Sequence, residues 1–174
     1  MKYLFFLTYF LSVGFAYAGK QSAPDCTLGM DDVSVSKKLN SYRGQVLYVD
    51  FWASWCPPCG KSFPFMSRLQ QQYRSQGLQV IAVNLDEQRE DAERFLAENP
   101  HAFQIAYDTA ARDCAQAFDV KAMPSSYLID RAGTIHRVEL GFKAEETQAL
   151  QLELEKLLSE PIAETGGVAT EKNR

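Results

Sequence analysis

Histidine is scarce in this chain of 174 residues: His101 and His136 are the only two, and they stand far apart. A closed tetrahedral zinc site needs four ligands, usually from a second C-x-x-C or a closely spaced histidine pair. The sequence offers neither, so both histidines are expected to be ordinary surface residues, and no metal and no cofactor is expected. Positive charge is also in short supply. The 18 Lys and Arg face 22 Asp and Glu, net -4, with no basic cluster. That excludes the phosphate-neutralising surface on which nucleic-acid binding depends. Internal repeats and low-complexity blocks are absent as well, which removes solenoids and fibrous arrays. With 46% hydrophobic residues the chain can bury one core, and a single compact domain is expected.

The first eighteen residues, MKYLFFLTYFLSVGFAYA, carry one cation at Lys2, an apolar run, and small residues at Ala16 and Ala18. This is the grammar of a signal peptide cleaved before Gly19, with an uncleaved membrane anchor as the alternative. The domain is expected over residues 19–159. Residues 160–174, polar and without apolar period, are expected to be a disordered tail. The mature chain is therefore expected outside the cytoplasm, in the periplasm or its equivalent, where cysteines pair. Its four are Cys26, Cys56, Cys59 and Cys114. Three connectivities are possible, and spacing favours Cys56 with Cys59, leaving Cys26 to face Cys114.

Apolar periodicity supplies the organisation. Thr27–Leu28 and Val33–Val35 suggest short strands about a Gly-Met-Asp-Asp turn, with Ser36 capping a short helix through Tyr42. Val46 to Trp52 is a run for a strand buried on both faces, interrupted only by Asp50. Pro57 and Pro58 suit the first turn of a helix, and Phe63, Met66, Leu69 and Tyr73 continue it towards Gln76. A second core strand follows at Leu78 to Leu85, then a charged helix from Glu87 to Glu98. The β-α-β order implies a parallel pair with a right-handed crossover. Phe103 to Ala106 suggests a short strand, Ala110 to Phe118 a helix, Ser126–Asp130 with Thr134–Leu140 a hairpin, and Lys143 to Leu158 a closing helix. The expected class is α/β: a central mixed sheet with helices on both faces and an N-terminal extension.

The stretch FWASWCPPC then places two thiols where a strand hands over to a helix. Unpaired N–H groups and the positive helix end favour a thiolate there. Cys56, nearer the surface, is expected to attack, and Cys59 to resolve the mixed disulfide. A two-residue bridge closes too small a loop to be a useful staple. Asp50, an acid in an apolar strand, is expected to have a raised pKa.

VDFWASWCPPC, followed by VNLDE and later by MPSSYLID, resembles the thioredoxin superfamily, and the opening APDCTL is similar to that of its extracytoplasmic TlpA/ResA branch. The resemblance runs from about Ala23 to Leu158. It implies a thioredoxin-like fold and a thiol-disulfide oxidoreductase. The expected direction is reduction of specific partner disulfides, with apocytochrome c or copper-site proteins as candidate partners, a membrane thiol donor, and a monomeric state. A disulfide oxidase or isomerase, or a copper-binding module using the thiolates and Met123, are the alternatives. The resemblance also implies that Pro124 is a cis-proline facing the cysteines. Met123 before it, Trp55, Pro57 and Pro58 would then meet substrate. Glu87 matches an acid that this branch places near the thiols, and Asp50, where the branch often has asparagine, matches the buried acid that thioredoxins carry behind the cysteines and would take the proton of Cys59. Cys26 stands where the branch has an aromatic; a structural Cys26–Cys114 disulfide is expected, with two buried free thiols as the alternative.

Overall fold

The computed structural model describes residues 21–30, 34–108 and 112–161. The leader, Val33 and the tail beyond residue 161 lie outside the described residues. Among the described residues seven strands form one mixed sheet, in the order β2 (Ser36–Lys38), β1 (Thr27–Gly29), β5 (Gln104–Tyr107), β4 (Leu78–Asn84), β3 (Val46–Trp52), β6 (Ser125–Ile129) and β7 (Ile135–Leu140). At its centre β3 (Val46–Trp52) is buried along its whole length, as its unbroken apolar run requires. It pairs in parallel with β4 (Leu78–Asn84) through helix α1 (Pro57–Tyr73), and β4 pairs in parallel with β5 (Gln104–Tyr107) through α2 (Arg89–Glu98). After α3 (Asp113–Ala117) the chain returns antiparallel as β6 (Ser125–Ile129) and β7 (Ile135–Leu140), and α4 (Thr147–Ser159) closes the domain.

Alternation along β3 divides the core. Val46, Tyr48 and Trp52 pack with α1, α4 and Ala92 of α2, whereas Leu47, Val49 and Phe51 pack with α3 and the N-terminal piece. Cys56 and Cys59 belong to the first of these clusters, and Asp50 shares its face by the two-residue period. Helix α1 continues through Pro64, which is exposed, and a short 3-10 turn, Arg74–Gln76, completes it. Gly77 then reverses the chain at φ 95°, a conformation that side chains resist.

Two expectations at the N-terminus are corrected. β1 (Thr27–Gly29) pairs with β2 at Ser36–Lys38, so the second strand begins after Val35. Ser36 therefore lies in a strand and caps no helix; the following turn, Leu39–Tyr42, is 3-10 and starts after Lys38. The pairing of Thr27 with Lys38 overrides the local capping signal.

Candidate active site

The two cysteines at the head of α1 are joined, with Cα atoms 5.4 Å apart. Cys56 is the N-cap residue in extended conformation, and Pro57 and Pro58 fill the first two helical positions, where a missing N–H is no loss. The Cys59 amide donates to the Cys56 carbonyl at 3.0 Å. Both thiol positions are buried, Cys56 at 4% exposure and Cys59 at 0%, so of the two only Cys56 retains any contact with solvent. The first turn of α1 carries no acid that would oppose a thiolate there.

The loop that delivers Cys56 is anchored by a residue the sequence reading passed over. Asp86 accepts from the Ser54 amide at 3.0 and 3.2 Å and from the Ser54 hydroxyl at 3.0 Å, and Asn84 Nδ2 donates to it at 2.8 Å. Leu85 N–H adds a bond to the Trp52 carbonyl at 2.9 Å. The signal was the adjacent acid pair Asp86-Glu87, of which only Glu87 was singled out. Glu87 itself lies exposed on the loop between β4 and α2, where it lines an open pocket of about 470 Å³ with Arg89, Tyr107 and Arg112. The expected helix start at Glu87 is thereby displaced to Arg89, because Asp86 turns back onto Ser54. Replacing Asp86 by Ala should cost about 1–3 kcal/mol, the penalty for stripping partners from such donors. Urea unfolding of the oxidised protein measures it; a loss near zero would show that water replaces the carboxylate without penalty.

Asp50 is fully buried in β3 opposite Ser126. The Ser126 hydroxyl donates to Oδ1 at 2.5 Å, while Oδ2 has no partner among the described residues. Burial pushes the carboxyl up to about 7, and the Ser126 bond offsets only part of that. Tyr48 on the same face is pushed above the usual phenol range by burial first and by Asp50 second.

Met123–Pro124 is a cis peptide bond at the entrance to β6. The loop is held by Ser125 Oγ donating to Ala122 O at 2.6 Å and by Gly141 N–H donating to Pro124 O at 2.8 Å. Met123 packs against both core clusters and borders an open pocket of about 390 Å³ with Leu85, Ala115 and Val120. The two tryptophans separate sharply. Trp52 is wholly buried, its ring 5.1 Å from Phe63 and 5.0 Å from Phe95, whereas Trp55 is 66% exposed beside Cys56. Pro57 is exposed and Pro58 half-buried. Cys26 and Cys114 form a second disulfide, in the opposite cluster and away from α1.

The family model described as Redoxin matches residues 18–152. The chain is 31% identical over 146 residues to the thiol-disulfide oxidoreductase ResA of Geobacillus kaustophilus, covering 84% of this chain and 83% of that one. It is also 31% identical over 136 residues to ResA of Bacillus subtilis, with 74% of each chain covered. Among solved structures, one assigned as a thiol:disulfide interchange protein DsbE from Chlorobium tepidum superposes with a TM-score of 0.75 at 40% identity, covering 80% of this chain and 96% of that one.

Proposed function

This chain belongs to the Redoxin family, as a TlpA/ResA-like thiol-disulfide oxidoreductase of the thioredoxin superfamily, and on that footing we propose that it is an extracytoplasmic reductant of specific partner disulfides. The observation that carries the direction is the buried acid. Asp50, half-satisfied behind the helix-capping disulfide, places developing negative charge on the thiols' side of the sheet. Strong oxidants of this fold gain their potential from a stabilised reduced form. A buried carboxylate on that side works against such stabilisation.

In the proposed cycle the Cys56 thiolate attacks a partner disulfide and expels one partner thiolate, which takes a proton from solvent. Asp50 then accepts the proton of Cys59, whose thiolate attacks Cys56 sulfur and expels the second partner thiolate. The partner is reduced, and the Cys56–Cys59 bond is formed. Cis-Pro124 and Met123 present backbone to the partner, Trp55 with Pro57 and Pro58 supplies exposed apolar contact, and Glu87 stands at the rim. Regeneration requires electrons from a membrane thiol donor, which agrees with the N-terminal leader reading. Apocytochrome c and copper-site proteins are the partner classes proposed, for a monomeric enzyme.

The test has two arms. Reduced Cys59→Ser protein should stall on insulin as a mixed disulfide at Cys56, and Cys56→Ser protein should form none. The potential of the wild-type couple should lie at or below ~-270 mV, the thioredoxin value; one near ~-120 mV would reassign the protein as an oxidant.

A further inference from the structure

The two edges of the sheet are built differently. β2 ends one side with Ser36, Lys37 and Lys38, the charged guard that keeps edge strands from pairing with strangers. β7 ends the other side with Val138 and Leu140, 50% and 61% exposed. Among the described residues they are two of the few large apolar side chains left in solvent, and Trp55 beside the reactive pair is another.

Backbone geometry shows that this edge is half covered. At its far end the lead-in segment adds a short bridge: Ala23 N–H donates to Gly133 O, and Ile135 N–H donates to Gln21 O, both at 2.8 Å. At its near end Gly141 donates to Pro124 O. In an antiparallel pair every second residue bonds its neighbour, so Glu139 and Arg137 turn towards β6, and Val138 and Leu140 turn their N–H and C=O outward. No described residue pairs with that outward side.

The open end is also the redox end. One row across the sheet runs Val83, Phe51, Ser125, Leu140, and Ser125 directly follows cis-Pro124. Leu140 thus stands two strand spacings, roughly 10 Å, from Phe51, and by register it shares the α3 face with Phe51, so a segment paired on this edge reaches Cys56 around the end of the strands. We propose that the open end of the β7 edge, at Val138 and Leu140, receives an extended apolar segment of the client polypeptide as an added strand while Cys56 engages the client's sulfur. Backbone pairing supplies the hold and the two side chains select apolar sequence. This rests on the exchange with polypeptide disulfides proposed above.

The test uses the full chain as Cys59→Ser and two synthetic peptides of about twelve residues, long enough at ~3.3 Å per residue to reach β7 from Cys56. Each has one central cysteine activated as a mixed disulfide with thionitrobenzoate; one is flanked by Val and Leu, the other by Ser and Gly. The Cys56 thiolate attacks the peptide sulfur and releases thionitrobenzoate, which reports capture. With the apolar peptide attached, amide exchange at Val138 and Leu140 should slow by about tenfold or more, and capture should outpace that of the polar peptide. Val138→Lys with Leu140→Lys should abolish the preference, whereas Leu152→Lys, equally exposed on α4, should leave it intact. Capture with unchanged exchange at both amides overturns the surface while the redox assignment stands. Protection already present in the free chain overturns it too, assigning the edge to the chain's own N-terminus if independent of concentration and to a second copy if not. Capture of neither peptide overturns the redox assignment and this surface together.

Discussion

Between pH 4 and pH 8, the oxidised wild-type protein should lose roughly 4 kcal/mol of stability relative to Asp50→Asn, from a carboxyl shifted about three units at 1.36 kcal/mol each. The sign follows from proton counts. In the unfolded chain Asp50 ionises near its ordinary 3.8, whereas in the folded protein it holds its proton to about 7. Across that window the native state binds more protons, so stability falls as pH rises; below it both states are protonated, and above it both are ionised. The full contribution is therefore present at acid pH and gone once pH passes about 7. Asparagine keeps an acceptor for Ser126 and does not titrate. Its amide leaves buried donors without partners, a constant offset of about 1–3 kcal/mol that does not affect the slope. Working with the oxidised protein removes thiol titration from the comparison. Urea unfolding at several pH values gives the two curves, and parallel curves would show that Asp50 is not a titrating buried acid.

The same substitution should act on turnover in the opposite sense. Wild-type resolution of the Cys56 mixed disulfide should rise as pH passes about 7, because only ionised Asp50 can accept the Cys59 proton. Asp50→Asn should slow that step by about 10²-fold above pH 7, the lower range for a positioned general base. The deficit should shrink below pH 6, where wild-type Asp50 is itself protonated. Single-turnover kinetics on a preformed mixed disulfide isolates the step. An equal deficit at every pH would reduce Asp50 to a packing role.

What was legible in the sequence follows the strength of local pattern. β3 was readable because seven consecutive core residues leave no other home for Val46 to Trp52, and the start of α1 because Pro57 and Pro58 allow little else. The thiol pair and Asp50 sit on those two elements, so the centre of the site could be located. The periphery could not, because it depends on which elements meet. Choosing between Asp86 and Glu87 requires knowing that the end of β4 lies beside Ser54, which no local window contains. β2 was misplaced for the same reason: three exposed residues, Ser36 to Lys38, are a strand only because β1 pairs with them. The exposure of Val138 and Leu140 depends on sheet order, since the alternation in IHRVEL fits an edge or an interior strand equally well.

Removing both Cys26 and Cys114, as the double alanine variant, should cost about 4–5 kcal/mol, the loop-closure entropy of a bridge between residues 88 apart. For a chain of this size that corresponds to a fall in Tm of roughly 10 °C or more. The placement of the bond argues for a full effect. Among the described residues β1 joins the main sheet through one register pair, Gly29 with Tyr107, and α3 has five residues, so neither is held strongly by ladder or helix hydrogen bonds. Asp108 supports α3 by accepting from the Cys114 and Ala115 amides at 3.1 and 2.8 Å, and the disulfide fastens the same turn to the N-terminal strand. From α3 the chain runs directly into Met123 and cis-Pro124, so loosening it should also raise amide exchange across residues 113–123. The two bonds should separate chemically. Exposure does not divide them, at 6% and 0% for Cys26 and Cys114 against 4% and 0% for Cys56 and Cys59, but only the second pair caps a helix, whose N-terminal N–H groups stabilise the thiolate that reduction releases. Mild dithiothreitol followed by alkylation should therefore label Cys56 and Cys59 alone, and the bridged Cys26–Cys114 peptide should survive in the digest. Scanning calorimetry of the double variant decides the energetic claim. A Tm within about 2 °C of wild type would mean that packing of the N-terminal strand, and not the covalent bond, holds α3 and the cis-proline loop in place.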